Sequence, residues 1–359
     1  MRLLVLTQGA DHVCFRYRVG AFAQALSARG WTLEGVPLAG AVVRRCRQLR
    51  AARHADAVLL QRKLLPWWQA RILRQNARVL LFDFDDAVFH RDSYSPKGFY
   101  SRTRSFRFWA TVHAADAVLA GNRYLAEQAA RFVEPRQVYR IPTCVDPRAY
   151  PTARHQRQGV AARLVWIGGE AMLRSLDRAS AHLAAAAAAV PGIELHVICS
   201  KVPLLDRLRV VGIHWSETTE ARDLAAADVG ISWLPDDPWS RGKCALKILQ
   251  YMAAGLPVVA NPVGMTREIV VDGETGYLAA TPQEWADAIT RLASDPAKRQ
   301  AMGLAGRRRV EQLYSVAAWE HVFAELIDRV AGSVTTRSGA HFGTAVRHRP
   351  AHAGRSPQC

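Results

Sequence analysis

The stretch that most constrains this chain runs from Trp239 to Tyr277, WSRGKCALKILQYMAAGLPVVANPVGMTREIVVDGETGY. Ala245, Ile248, Leu249 and Met252 recur at i, i+3, i+4 and i+7, which draws one apolar stripe along an α-helix. Lys243, Lys247 and Gln250 fall together on the opposite side. Gly255 stands where a helix C-terminus takes a left-handed residue, and Pro257 forbids continuation. Leu256 to Ala260 then reads as a short strand, apolar throughout as in a buried parallel sheet. Asn261 to Gly264 makes a turn, and a second helix starts near Met265 and Thr266. A buried strand between two helices dictates α/β architecture here. Two lysines at the start of a helix whose first amides are free also make a phosphate cradle. The bland alternative is a solvated helix face.

The rest of the chain repeats that alternation. Apolar runs predict strands at 2–7, 31–36, 57–60, 79–84, 116–120 and 138–142, then at 164–167, 194–199, 210–215 and 229–234. Helical segments between them imply mostly parallel sheets covered on both faces. The polar, proline-marked stretch from Pro147 to Val160 divides two halves, and 359 residues are enough for two cores. Thr281 to Glu284 is a capping box with proline at the first helical position. A last helix starts at Ser315. From Gly332 the chain is rich in Ser, Gly, Arg and His without periodicity, and reads as a disordered basic tail. Gln8-Gly9-Ala10, after the first strand, holds one glycine rather than a G-x-G-x-x-G fingerprint, which argues against a nicotinamide cofactor.

Charge and cysteine usage narrow the partners. The formal net charge is +17, which suits an anionic partner, whether a lipid surface, a nucleic acid or a nucleotide diphosphate, without choosing between them. Six cysteines are scattered without C-x-x-C pairing, as in a reduced, cytosolic chain without a disulfide framework or zinc site. No apolar run reaches the length of a bilayer span. The segment RKLLPWWQARILRQ combines Trp67 and Trp68 with Arg62, Lys63, Arg71 and Arg74. It reads either as an interfacial amphipathic helix or as a helix packed on the sheet with its cations in water. The strand from Val79 runs into Asp85 and Asp86, carboxylates that are costly at a strand end unless solvated, bonded or functional.

The run KILQYMAAGLPVVANPVGMTREIVVDGETGYL resembles the donor-binding signature of the group 1 (family 4) glycosyltransferases. That pattern is an acid, seven residues, a second acid, a small-residue helix end, G-x-P-V-V-A, a glycine turn and D-G-x-T-G. Gly242 and Gln250 stand where the family carries its acids. Gln250 can still hydrogen-bond ribose hydroxyls; Gly242 has no side chain to hold a sugar. Pro142 to Asp146 resembles the family's inter-domain stretch.

The resemblance implies an α/β fold of GT-B type, two Rossmann-like βα domains facing each other across a cleft. Residues 1–150 would form the acceptor domain and 151–313 the nucleotide-sugar domain. Residues 314–331 would be a helix crossing back to the first domain, and 332–359 the tail. It implies transfer of a sugar from a nucleotide-sugar co-substrate to a cell-envelope or polysaccharide-type acceptor, glycan or lipid-linked, with retention and without metal or further cofactor. Gly168, Gly169, Arg174, Lys243, Lys247, Gln250, Gly264, Met265 and Thr266 would meet the donor. Gly9, Arg16 and Arg18 would face the acceptor. Asp86, or else Asp85 or His113, would orient or deprotonate the acceptor hydroxyl. The expected location is cytoplasmic, peripheral on the inner face of an anionic membrane. A nucleic-acid partner is not expected, because no helix-turn-helix, RRM or zinc spacing is present. The missing acids leave a second reading, an inactive GT-B partner subunit.

Overall fold

The computed structural model describes residues 1–9, 12–156, 162–205 and 208–340. Twelve short strands fall into two six-stranded sheets. The first holds β1 (Arg2–Thr7), β2 (Thr32–Pro37), β3 (Ala57–Gln61), β4 (Leu80–Phe84), β5 (Ala117–Ala120) and β6 (Val138–Arg140) in the order β2-β1-β3-β4-β5-β6. The second holds β7 (Arg163–Ile167), β8 (Glu194–Ile198), β9 (Arg209–Ile213), β10 (Val229–Ser232), β11 (Val258–Ala260) and β12 (Gly276–Leu278) in the order β12-β11-β10-β7-β8-β9. Every pairing is parallel. Parallel strands must be joined by crossovers, and the helices that make them bury both sheet faces.

Side-chain alternation divides the first sheet between two helical layers. Leu4, Leu6, Val58, Leu60, Leu80 and Phe82 point to the helices Val42–Ala51, Trp67–Asn76 and Arg102–Ala114. Leu3, Val5, Leu59 and Leu81 point the other way, to Phe22 and to the final helix, Val316–Ala340. That helix returns to the first sheet from the second domain. Phe323 stacks on Phe22 with centroids 4.5 Å apart, and Asp328 accepts from the Trp31 indole at 2.6 Å. The helix runs on to Ala340, past the point where periodicity fades at Gly332; positions 341–359 of the expected tail lie outside the described residues. Among the described residues no helix is long and apolar enough to cross a membrane.

Two elements have no clear sequence signal. β12 has three residues, too few to show a pattern. The helix Val42–Ala51 packs through Leu49 alone, and its four arginines mask the apolar stripe.

Each sheet has one point where strand order reverses, between β1 and β3 in the first and between β7 and β10 in the second. Loops leaving the strand ends there diverge to opposite faces and open a crevice, which is where open α/β sheets bind ligands. The two crevices face each other.

Candidate functional site

Four charged side chains meet where the crevices oppose. Arg62 follows the last residue of β3 and is held in the left-handed region at φ 57, with its amide bonded to the Asp83 carbonyl at 2.8 Å. That backbone turns its guanidinium onto the acids that follow β4. It meets Asp85 Oδ1 at 3.2 Å, pairs with Asp86 and contacts the Cys14 thiol. From the second domain, Lys243 Nζ lies 3.0 Å from Asp86 Oδ1 and 3.8 Å above the Trp239 ring. Asp86 therefore sits between a cation from each domain. Burial alone would raise the Asp85 carboxyl, but Arg62, Arg18 and the Cys14 thiol together hold it below the ordinary aspartate range.

A buried polar layer supports these acids from below. Arg18 is fully buried; its guanidinium bonds Asp83 Oδ1 at 2.5 Å and the Ile141 carbonyl. Gln61 donates to Asp83 at 3.2 Å and accepts from Thr7 Oγ1 at 2.8 Å. Removing one partner from such a layer leaves an uncompensated buried charge, which costs about 3–5 kcal/mol.

The second crevice carries the donor-side residues. Lys247 lies in the first turn of the helix Leu246–Ala253, with Nζ 4.2 Å over the Trp166 ring. Among the described residues it has no carboxylate partner. Burial, together with the nearby Lys243 ammonium, pushes it down to about 7. Ala245, which opens the helix, takes a left-handed conformation at φ 52 that costs a non-glycine residue about 1–3 kcal/mol. Gly168 and Gly169 follow β7. A Cβ on Gly168 would come 2.6 Å from the Trp166 ring, so its constraint is internal packing, whereas Gly169 faces open space. Arg174 stacks over the Tyr94 ring at 5.9 Å. Gly264 is left-handed at φ 53 and packs against Arg241, with Met265 and Thr266 buried behind it.

The domains touch closely around this centre. A Cβ on Gly242 would lie 2.6 Å from the backbone nitrogen of Ala87, and one on Gly121 2.4 Å from the Cys244 sulfur. Asn122 Nδ2 donates to the carbonyls of Arg241 and Lys243 at 3.3 Å each, and Ser93 meets Ser240 at 3.1 Å. The glycine at 242 thus lets the loop carrying Asp86 approach the helix carrying Lys247.

Several expected contacts are placed elsewhere. Gln250 is buried, donating to the hydroxyls of Tyr17 at 3.1 Å and Tyr150 at 3.3 Å. Tyr17 in turn donates to Glu220 at 2.9 Å, which accepts from Arg16 at 2.7 Å and from the Trp215 indole at 2.8 Å. In this arrangement Gln250 and Arg16 belong to an inter-domain contact, not to an open ribose or acceptor surface. Arg18 is locked beneath the acids. His113 lies on the exposed side of the helix Arg102–Ala114, stacked with Trp109 at 5.7 Å, because Phe108, Thr111 and Val112 take the buried side. Gly9 lies two residues past the end of β1, and its carbonyl accepts from the His12 amide at 3.2 Å. His12 itself caps the following helix and is lowered by burial and by Arg62.

Three residues escaped the sequence reading. Arg62 read as part of the tryptophan-bearing helix, although it precedes Pro66 and so lies outside it. His12 sat in an unpatterned loop. Tyr94 reaches into the second domain near Asp237, and burial pushes its hydroxyl up to about 12.

Two parallel βα domains with opposed crevices and a final helix returning to the first define the GT-B class of fold. Solved structures agree. Sucrose-phosphate synthase of Thermosynechococcus elongatus superposes with a TM-score of 0.67 over 95% of this chain and 99% of its own, at 18% identity. The HepE protein of Anabaena, solved with UDP and glucose, gives 0.64 over 92% and 100%, at 16% identity. Residues 148–295 match the family model described as glycosyl transferases group 1, so the chain carries a group 1 glycosyltransferase domain. Among curated proteins, α-maltose-1-phosphate synthase of Mycolicibacterium smegmatis is 26% identical over 60% of this chain and 63% of its own. An α-1,3/1,6-mannosyltransferase of Dictyostelium discoideum is 41% identical over 19% of this chain and 16% of its own. The matches to both span less than two thirds of the relative's length.

Proposed function

We propose that this chain transfers a glycosyl group from a nucleoside-diphosphate sugar, bound at the second crevice, to a hydroxyl acceptor at the first. The observation that carries the proposal is Lys247, a largely covered cation in the first turn of a helix, without a carboxylate partner among the described residues. A diphosphate there would gain the ammonium, the free amides of the turn and, beside them, Lys243. HepE, solved with UDP and glucose, shows that this fold holds such a ligand.

In the reaction the bond from the anomeric carbon to the diphosphate oxygen breaks and its electron pair leaves on that oxygen. Lys247 and Lys243 neutralise the charge that develops, so their stabilisation is greatest in the transition state. The acceptor oxygen bonds to the anomeric carbon, and its proton passes to Asp86, which Arg62 and Lys243 hold in position from either side. Contact between Ala87 and Gly242 excludes water, which favours transfer over hydrolysis. Retention, independence of metal and a glycan or lipid-linked envelope acceptor at the inner membrane face follow the family resemblance and complete the proposal.

Thermal shift against UDP-, GDP-, ADP- and TDP-sugars tests it. Ligand at a hundredfold its dissociation constant stabilises by about 2.7 kcal/mol, a shift of several degrees. One responding donor, lost on Lys247→Ala, is the expected result; a folded protein that answers to none would overturn it. Gln250 and Gly242, both taken up by inter-domain contacts, favour a second reading, a binding subunit without turnover. Donor binding with no transfer to any acceptor in a broad screen would select that reading.

A further inference from the structure

The helices Val42–Ala51, Trp67–Asn76 and Arg102–Ala114 lie side by side on one face of the first sheet. Inwardly they bury Leu49, Leu73, Phe108 and Val112. Outwardly they and the residue pair before the third helix expose large apolar side chains that globular surfaces normally cover. Val43 is 65% exposed, Trp67 56%, Phe106 50% and Tyr100 74%, with Trp68 and Trp109 also exposed. Phe106 stacks on Trp109 at 5.3 Å, and Trp109 on His113 at 5.7 Å.

The charge on the same face is of one sign. The three helices carry nine arginines and no aspartate or glutamate. Arg44, Arg47, Arg50, Arg71, Arg102 and Arg107 are exposed, and none makes an ion pair among the described residues. The helices Pro282–Ser294 and Pro296–Leu313 of the other domain mix both signs and bury Trp285. A general excess of arginine therefore does not explain the patch.

Its position follows from the topology. All strands of the first sheet run toward the cleft, and each of these helices begins at the cleft edge. Val43, Trp67 and Tyr100, at or just before the helix starts, lie on the rim shared with Gly9 and Asp86.

We infer that this face docks onto a bilayer bearing anionic phospholipid headgroups, with the acceptor side of the cleft turned toward the lipid. Aromatic and aliphatic side chains enter the interface while the arginines meet headgroup phosphates. Nucleic acid would satisfy the arginines but give the valines and tryptophans nothing to bury in. The purpose assigned to docking rests on the transfer reading; the docking itself does not.

Co-sedimentation of the full chain with phosphatidylcholine vesicles, with and without phosphatidylglycerol, tests the inference. Binding to the mixed vesicles should exceed binding to phosphatidylcholine alone by about tenfold or more, since each arginine near an anionic surface adds roughly fivefold. Trp67→Ala with Trp68→Ala should weaken it about tenfold, and separately Arg44→Glu with Arg47→Glu and Arg71→Glu about a hundredfold or more. Both variants alter exposed positions, so the thermal midpoint and the sugar-nucleotide response should stay at parent values, which keeps this test separate from that of transfer. Equal binding to the two vesicle types, or variants that bind like the parent, would overturn the inference. So would binding that duplex DNA displaces and that survives the tryptophan changes, which would mark a polyanion surface instead.

Discussion

The two domains share a fold and differ in what their crevices hold. In the first, two arginines face three aspartates, Arg18 on Asp83 and Arg62 on Asp85 and Asp86, and Lys243 of the second domain supplies the third positive charge. In the second, Lys247 is left against an aromatic ring with another ammonium nearby. A neutralised crevice suits an uncharged hydroxyl acceptor, since no net field opposes it. A cationic crevice suits a diphosphate. In the proposed transfer this difference in charge would put the donor in the second crevice and the acceptor in the first, without appeal to the two acids that the family signature carries. Lys243 joins the crevices, because it is the one second-domain cation bonded to the first domain's acids among the described residues.

Removing the donor-side charge should give the largest effect. Lys247→Ala is expected to lower turnover by about 10²–10³-fold, the loss typical when one group aimed at developing charge is deleted. Single-turnover rates with an identified donor would measure it. Turnover within threefold of the parent would mean that the diphosphate lies elsewhere and that the contrast between crevices is misread.

Restoring the family acid at position 242 should come next in size. Gly242→Glu puts a Cβ 2.6 Å from the Ala87 nitrogen, so the domains must part locally. Turnover is expected to fall about tenfold or more, because misplacing reacting groups by about 1 Å costs as much as a hundredfold. A gain in activity would show that the missing acid, rather than close approach, limits this chain.

The acid at position 250 should cost less, and mainly in stability. Gln250→Glu places a carboxylate in the buried layer that already holds Glu220, with Tyr17 between them. The expected loss is about 1–3 kcal/mol. Repulsion raises a carboxyl above its unfolded value near 4.3, so the deficit should be small below about pH 4 and grow as pH rises. Denaturant midpoints of variant and parent at pH 4 and pH 8 would show it; a deficit independent of pH would point to packing alone.

Much of this was legible in sequence. Eleven strands announce themselves as apolar runs, and the stripe from Ala245 with its glycine and proline stops fixes the central helix. Lys247 follows from helical spacing; Lys243 does not, because it precedes the helix in extended backbone and the left-handed Ala245 separates the two. What stays hidden is contact between distant segments. Gly242 reads as an absent acid, yet its role depends on Ala87, 155 positions away in the chain. Gln250 reads as a ribose ligand until Tyr17 and Tyr150 are brought to it. Arg62 belongs by composition to a basic helix and by backbone to the strand end before it. His113 misleads for a local reason: one residue after a buried pair, helical rotation turns it outward.

The smallest effect concerns pH and probes the cationic crevice most directly. Lys247 titrates near 7 because burial and Lys243 disfavour its charged form. A diphosphate beside it favours the charged form, so binding above pH 7 must take up a proton. Nucleotide affinity should then weaken as pH rises from about 7 to 9, by at most tenfold per unit. Without ligand the sign is opposite. The unfolded chain keeps that proton up to the ordinary lysine value, so folding stability should rise over the same window. Calorimetry with UDP in buffers of different ionisation enthalpy would detect the uptake, and Lys247→Arg, charged throughout, should abolish it while retaining binding. Affinity unchanged from pH 7 to 9, with no proton uptake, would place the diphosphate away from Lys247 and remove the electrostatic basis for distinguishing the two crevices.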